Sequence, residues 1–196
     1  MRKLLTFGIV GVVLVSAQAC GATSSRALPG APAVNPRAAA LLEFSERIEN
    51  YMDLRDDIVD EVMPAETTAD PALIRGREDA LAQRIRTRRA NARHGDIFTP
   101  DVRVVFRRLL RPQLKSDDRS DILAKLDDDA PAPGAVPVEV NAKYPAGLPM
   151  AATPATLLAA LPPLPRELEY RFIGKDMILL DQPADVILDY IRNAIE

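Results

Sequence analysis

Prolines divide this chain into short segments and determine where its helices begin. Seventeen of the 196 residues are proline, and four of them directly follow a residue whose side-chain oxygen is suited to cap a helix. Proline fits the first turn of a helix, and a preceding Asn, Asp or Thr accepts a hydrogen bond from the open turn. An apolar pattern of helical spacing follows each pair. We therefore predict four helix starts, at Asn35-Pro36, Asp70-Pro71, Thr99-Pro100 and Thr153-Pro154.

The three longer helical patterns also carry end signals. The first pattern continues until Pro64, and the second ends at Gly95, which is a favourable residue for the position just after a helix. The third ends before Pro112, and a segment around Ile122 is expected to continue it after a kink. Two residues are candidates for the cap of that segment, Ser116 and Asp118.

The region from 130 to 152 reads as a long connection, because it is rich in Pro and Ala and lacks helical periodicity. Only Val136 to Val140 is suited to a short extended piece. A brief helix from Pro154 to Leu161 follows and runs into a second proline cluster. We expect this region to join the helical part of the chain to a separate β-rich part.

The C-terminal residues have the composition of a small antiparallel sheet. Leu168 to Phe172 and Met177 to Leu180 favour strands, and Gly174-Lys175 between them fits a two-residue type II′ turn. In that register Phe172 faces Met177 and Tyr170 faces Leu179. The spacing of apolar residues in 186–195 suits a helix, whereas the propensity of its first residues suits a third strand. We choose a strand through Ile191.

Together these patterns predict an α+β fold, in which an N-terminal bundle of about three helices packs against a small C-terminal antiparallel β-hairpin or three-stranded meander. The expected divisions are a signal peptide at 1–19, a disordered tether at 20–36, a helical region at 37–129 and a proline-rich connection at 130–152. Residues 153–196 form a short helix and a β-hairpin module that packs on the helices.

The N-terminus has the pattern of an export signal. Basic residues precede an apolar run from Leu4 to Val15 and a small-residue exit at Ala17-Gln18-Ala19. Cys20, the only cysteine, follows directly, at the position where a bacterial lipoprotein carries its lipid. We expect lipid attachment at Cys20; the alternative is plain secretion after an A-x-A site. Gly21 in place of aspartate resembles the pattern of outer-membrane lipoproteins, and a soluble periplasmic or secreted protein is the alternative.

Charges are unevenly distributed along the helical region. The segment from Glu43 to Asp70 has a balance of −8, and the segment from Arg75 to Lys115 has a balance of +8. Opposite fields favour neighbouring helices, so we expect these two segments to pack side by side. The alternative is that the arginines bind an anionic envelope component such as lipid head groups or an acidic polymer. The candidate anion-binding residues are Arg84, Arg88, Arg89, Arg107, Arg108 and Arg111.

Residues for the commonest catalytic and metal-binding chemistries are scarce. His94 is the single histidine and stands beside Gly95, where a helix C-cap or a surface position is expected. One histidine and one N-terminal cysteine do not supply a transition-metal site or a nucleophilic triad. No phosphate-binding loop or dinucleotide fingerprint is visible, so we expect no cofactor and no catalytic residue. The net charge of −3, or −5 without Arg2 and Lys3, argues against nucleic acid as a partner.

Three segments carry a resemblance to known sequences: Gly95–Pro100 (GDIFTP), Val138–Pro145 (VEVNAKYP) and Leu161–Gly174 (LPPLPRELEYRFIG). They resemble a family of uncharacterised exported bacterial envelope proteins, which implies an envelope location and no specific activity. The C-terminal hairpin resembles, more weakly, the β module of periplasmic metal-homeostasis accessory proteins.

From these observations we expect an exported, lipid-anchored envelope protein with a non-catalytic binding or scaffolding role. Its expected partners are the membrane, through the N-terminal lipid, and an unknown envelope protein or anionic envelope component. The alternatives are a hydrolase that uses only carboxylates and a periplasmic metal-stress accessory protein.

Overall fold

The computed structural model describes residues 35–62, 68–115, 117–128 and 130–196. These residues belong to one compact unit. Five α-helices, one short 3₁₀ turn and three strands follow one another along these described ranges. The helices are α1 (Pro36–Val62), α2 (Pro71–Arg88), α3 (Pro100–Leu110), α4 (Arg119–Asp127) and α5 (Ala155–Ala160), and the strands are β1 (Leu168–Ile173), β2 (Asp176–Asp181) and β3 (Val186–Ile191).

Three of the four predicted caps form. The side chain of Asn35 accepts a hydrogen bond from the Arg37 backbone N–H at 3.0 Å, and that of Asp70 accepts one from Ala72 at 2.8 Å. Thr99 caps α3 in the same way through the Val102 N–H. The fourth cap was predicted wrongly: Pro154 itself occupies the N-cap position of α5, and the Thr153 hydroxyl donates to the Tyr170 carbonyl of β1 instead.

The helix-end signals gave mixed results. α2 ends at Arg88, so the prediction that Gly95 follows this helix directly was wrong; Gly95 lies in a later turn with φ +94°. Asp118 occupies the N-cap position of α4 but makes no side-chain capping bond. The predicted stop at Pro64 and the alternative cap Ser116 lie outside the described residues.

The predicted α+β fold with a C-terminal meander is confirmed. The strands pair antiparallel in the order β1-β2-β3, and Phe172 lies opposite Met177 and Tyr170 opposite Leu179, as the hairpin register requires. Gly174 has φ +57°, the value that the first residue of a type II′ turn needs. Residues 186–191 form a strand, with a bulge that leaves Leu188 as the extra residue.

Each face of the sheet is covered by a different part of the chain. One face, which includes Phe172 and Leu179, joins the helices in the main hydrophobic core. The other face presents Ile178, Leu180 and Ile187 to residues of the proline-rich connection, among them Val136, Val138 and Tyr144. A strand that is buried on both faces is continuously apolar, which explains the run of buried residues in β2.

The connection also pairs with the edge of the sheet, although not where it was expected. Val136–Val140 forms no strand. The pairing with β3 begins directly after this segment. The Asn141 N–H donates to the Ile187 carbonyl at 2.8 Å, and the Tyr144 N–H donates to the Asp185 carbonyl at 2.7 Å. The predicted extended piece therefore lies a few residues too early in the chain.

Four aromatic rings join the helices to the sheet. Phe106 of α3 contacts Phe44 of α1, Phe98 and Tyr170 of β1, with ring centroids 4.9 to 5.9 Å apart and planes inclined by 64° to 68°. Edge-to-face contacts of this kind add to the free energy of burying the rings. Phe106 is fully buried, so each of the three neighbours loses a contact if it is removed.

We expect Phe106→Ala to lower the free energy of unfolding by about 3 to 5 kcal/mol, because it leaves a cavity between the helices and β1. Val104→Ala is the matched control, since Val104 lies on the same helix but is 44% exposed. The control should cost less than about 1 kcal/mol. Urea denaturation followed by circular dichroism measures both. Equal losses for the two variants would contradict this account of the core.

Candidate functional site

Asp189 holds the loop before α3 against the sheet. It lies in β3, is fully buried, and its carboxylate accepts hydrogen bonds from the backbone N–H groups of Gly95, Ile97 and Phe98 at 2.8 to 3.1 Å. The Tyr190 N–H donates to the same carboxylate at 2.8 Å. Several backbone donors take the place of water around the charge, so burial of this carboxylate is compensated without a cation.

His94 belongs to the same arrangement. It is exposed, as expected for a surface position, but it does not cap α2, whose C-cap is Arg89. Its Nδ1 lies 3.2 Å from Asp189 Oδ1, and its ring stacks on Tyr190 with centroids 4.1 Å apart. The Arg103 guanidinium lies 3.4 Å from His94 Nε2. The chain turns back after α2 to bring His94 onto β3, which the spacing within α2 did not reveal.

A second buried carboxylate, Asp181, ties the end of β2 to α1. It accepts hydrogen bonds from the Tyr51 hydroxyl at 2.6 Å and from Arg55 Nε at 2.8 Å. The Ala184 N–H supplies a third bond at 3.1 Å. Burial, followed by the nearby charge of Asp181, raises the pKa of Tyr51 far above its ordinary value, so the hydroxyl keeps its proton and remains a donor.

Arg89 lies beside this network without a carboxylate partner among the described residues. Its guanidinium donates to the side-chain oxygen of Asn141 at 3.1 Å and to the Leu188 carbonyl at 3.0 Å, and it sits 5.3 Å from the centre of the Tyr51 ring. Burial lowers the pKa of Arg89, although Tyr51 and Asp189 oppose that effect. A partly buried cation that bonds only neutral acceptors is unusual, because such charges are normally paired.

These residues border an open cleft of about 260 Å³ between α1 and the loop that follows α2. We call it the α1 cleft. Arg89 and Tyr51 lie on one side, and Arg47 contributes a second cation that also bonds Glu43 and the Asp96 carbonyl. The cleft is lined by Arg47, Asn50, Tyr51, Leu54, Arg89, Ala92, Asp96 and Ile97. It combines two guanidinium groups, an aromatic ring and an amide, which suits recognition of a ligand with an anionic group.

The six arginines proposed from the sequence do not form one surface. Arg84 and Arg88 both bind Glu61 of α1, at 2.6 and 2.8 Å, so the acidic and basic helices meet side by side. Arg84, by hydrogen bonding, is the main cause that lowers the pKa of Glu61. Arg89 borders the α1 cleft. The remaining three, Arg107, Arg108 and Arg111, belong to the end of α3.

Those three arginines also differ from one another. Arg107 donates to the Arg192 carbonyl at 2.7 Å. Arg108 and Arg111 are exposed, and within the described residues their side chains form no hydrogen bond or ion pair. Helix packing therefore turns the six side chains in different directions, and anion binding by any of them stays a prediction.

Two other features bear on ligand binding. A groove of about 720 Å³ separates the proline-rich connection from the hairpin turn, but Arg192 within it is already bonded to Asp176 and to the Val138 carbonyl. In the described ranges, no group of three or more His, Cys, Asp or Glu side chains is arranged to hold a metal ion.

None of the described helices is both long and apolar enough to cross a bilayer. Cys20 lies outside the described residues.

The buried polar residues were missed by sequence reasoning. A weak signal for Asp189 exists, since it interrupts the apolar strand 186–191, and a carboxylate in such a place needs donors. Asp181 carries a similar signal at the end of β2. Apart from the neighbouring Tyr190 and Ala184 N–H groups, the donors could not be found, because they lie 91 to 130 residues away in the chain.

No protein family, no curated protein and no solved structure matches this chain. The resemblance of its three segments to exported envelope proteins therefore stays a prediction. Function has to be argued from the α1 cleft, the exposed arginines and the N-terminal sequence.

We expect Asp189→Asn to lower the free energy of unfolding by about 2 to 4 kcal/mol, because an amide group cannot accept all of the bonds that the carboxylate receives. Asp185→Asn is the matched control in the preceding turn. Partial burial raises the pKa of Asp185, and asparagine tolerates its φ of +52°, so the control should be neutral or slightly stabilising. Chemical denaturation at neutral pH tests both variants. An Asp189→Asn protein as stable as the control would refute the role assigned to this carboxylate.

Proposed function

We propose that this protein is exported, is anchored to the bacterial envelope through a lipid on Cys20, and has a non-catalytic binding or scaffolding role. The α1 cleft is the site that we assign to its partner, which presents an anionic group. The observation that carries the binding role is Arg89, a partly buried cation at an open cleft with no carboxylate partner in the described part of the chain. An anionic ligand adds a direct ion pair to the more distant attraction of Asp189, Asp96 and Asp181.

The state of the buried carboxylates supports a binding role over a catalytic one. A carboxylate that works as an acid, base or nucleophile needs an open position beside the reacting group. Asp181 and Asp189 are instead enclosed by donors from the protein itself. These bonds hold the wall of the α1 cleft in place, so the two carboxylates have a structural role there.

The anchoring part of the proposal rests on the N-terminal sequence. A basic start, an apolar run of limited length and small residues before Cys20 are the elements of an export signal that ends at a lipid-carrying cysteine. Acylation also removes the single free thiol, which is otherwise exposed to an oxidising compartment. Gly21 directly after the cysteine fits the pattern of an outer-membrane lipoprotein.

Metabolic labelling with a fatty-acid analogue tests the anchor. We expect the full chain to be labelled and to sediment with membranes, because two or more acyl chains hold a protein firmly at a bilayer. Cys20→Ser should lose the label and be released or left unprocessed. A mature protein that begins with a free cysteine amine and carries no label would leave plain secretion as the better account.

In-cell crosslinking tests the α1 cleft. A photo-reactive residue at position 50 lies in the cleft, whereas one at position 86 lies on the exposed side of α2. We expect a discrete adduct from position 50 that weakens when Arg47 is changed to Gln, because this change removes one cation from the cleft. The same adduct from position 86, or none from position 50, would count against the cleft as the binding site.

A further inference from the structure

The described part of the chain begins beside a group of unpaired arginines. Arg37 lies in the first turn of α1, and Arg37 and Arg108 line the same small pocket with Val105 and Leu109. Arg111 follows Arg108 by three residues on α3, so the two side chains are neighbours on the helix surface. We call Arg37, Arg108 and Arg111 the cationic face.

Within the described residues, none of these three arginines has a bound carboxylate, a property that they share with Arg75, Arg86 and Arg93. All three are exposed, and among the described residues none of their side chains forms a hydrogen bond or an ion pair. By contrast, Arg47, Arg55 and Arg84 each bind a carboxylate. The positive end of the α1 dipole lies at Arg37, whereas the negative end of the α3 dipole lies at Arg108 and Arg111, so the two dipoles oppose each other and the charge of this face comes from the guanidinium groups. The cationic face therefore presents a net positive charge to solvent.

The position of this face in the chain points to what it meets. Fourteen residues lie between Cys20 and Asn35, where the described structure begins, and a chain of this length spans at most about 55 Å. A lipid on Cys20 keeps the start of α1 within that distance of a bilayer. Confinement of this kind raises the effective concentration of lipid head groups at the cationic face, so even weak contacts become populated.

We propose that the cationic face lies against the phosphate groups of anionic phospholipids and so orients the anchored protein on the membrane. This inference rests on the proposed anchoring at Cys20 and identifies the surface of the protein that contacts the membrane. Guanidinium groups recognise phosphate oxygens through paired hydrogen bonds. The three guanidinium groups of the cationic face lie at one end of the helical bundle. Arg47 of the α1 cleft lies ten residues farther along α1, or about 15 Å, so this orientation holds the cleft away from the lipid.

Paramagnetic relaxation in nanodiscs tests the orientation. The chain from Cys20 to Glu196 is coupled through its only cysteine to a maleimide lipid, in discs whose remaining lipid is phosphatidylcholine with or without phosphatidylglycerol, and a trace of lipid carries a gadolinium chelate. We expect the backbone amide signals of residues 37–41 and 108–111 to weaken most when phosphatidylglycerol is present. The effect should disappear without the anionic lipid and at high salt, where screening is strong.

Two sets of substitutions make the test specific. Arg37→Gln, Arg108→Gln and Arg111→Gln together should reduce the effect by about tenfold or more, since each basic residue near an anionic surface contributes roughly fivefold to the bound population. The control combines Arg75→Gln, Arg86→Gln and Arg93→Gln, which remove the same charge from exposed positions on α2 and the loop after it. The control should retain the effect.

The outcomes separate this inference from the anchoring proposal. Signal loss centred on another surface, or equal losses for the two triple variants, would overturn the cationic face as the lipid contact. Because the maleimide supplies the attachment, the result does not depend on whether Cys20 is acylated in the cell. A failed labelling experiment with a positive nanodisc result would reject the natural anchor and leave the lipid-binding surface standing.

Discussion

A fully buried carboxylate needs donors on all sides, and Asp189 obtains them from a loop more than ninety residues earlier in the chain. The loop surrounds the charge with the backbone N–H groups of Gly95, Ile97 and Phe98, so its shape follows the position of the carboxylate. Gly95 makes the wrap possible, since its φ of +94° is rarely adopted by residues with a side chain, and an added Cβ would lie 3.0 Å from Arg103. The start of α3 and one wall of the α1 cleft are fixed by this contact.

Asp181 has the corresponding structural role on the neighbouring strand, β2. It joins β2 to α1 through Tyr51 and Arg55, so the two carboxylates attach both walls of the α1 cleft to one sheet. Arg89 fills the space between them and bonds the backbone of β3. Contacts with the sheet therefore hold Tyr51 and Arg89 in place at the cleft, and a preformed site of this kind loses less conformational entropy when a ligand binds.

Local rules predicted the parts of this fold that depend on neighbouring residues. The caps at Asn35, Asp70 and Thr99 and the turn at Gly174 each involve residues within a few positions of one another, and all formed as expected. The role of His94 was not predictable, because its contacts with Asp189 and Tyr190 of β3 join residues that are far apart in the sequence. Which arginines pair with carboxylates depends in the same way on which helix faces meet. The periodicity of apolar residues in α1 and α2 is too weak to identify those faces.

The proline-rich connection shows how a segment that resembles a linker can instead act as a wall. It lies over Ile178, Leu180 and Ile187 and pairs with the outer edge of β3. An uncovered strand edge recruits strands from other molecules and promotes aggregation. Proline lacks the N–H group that a further strand would bond, so a proline-rich cover closes the sheet without offering a new edge for growth. The composition that makes this region look unstructured thus protects a small sheet from self-association.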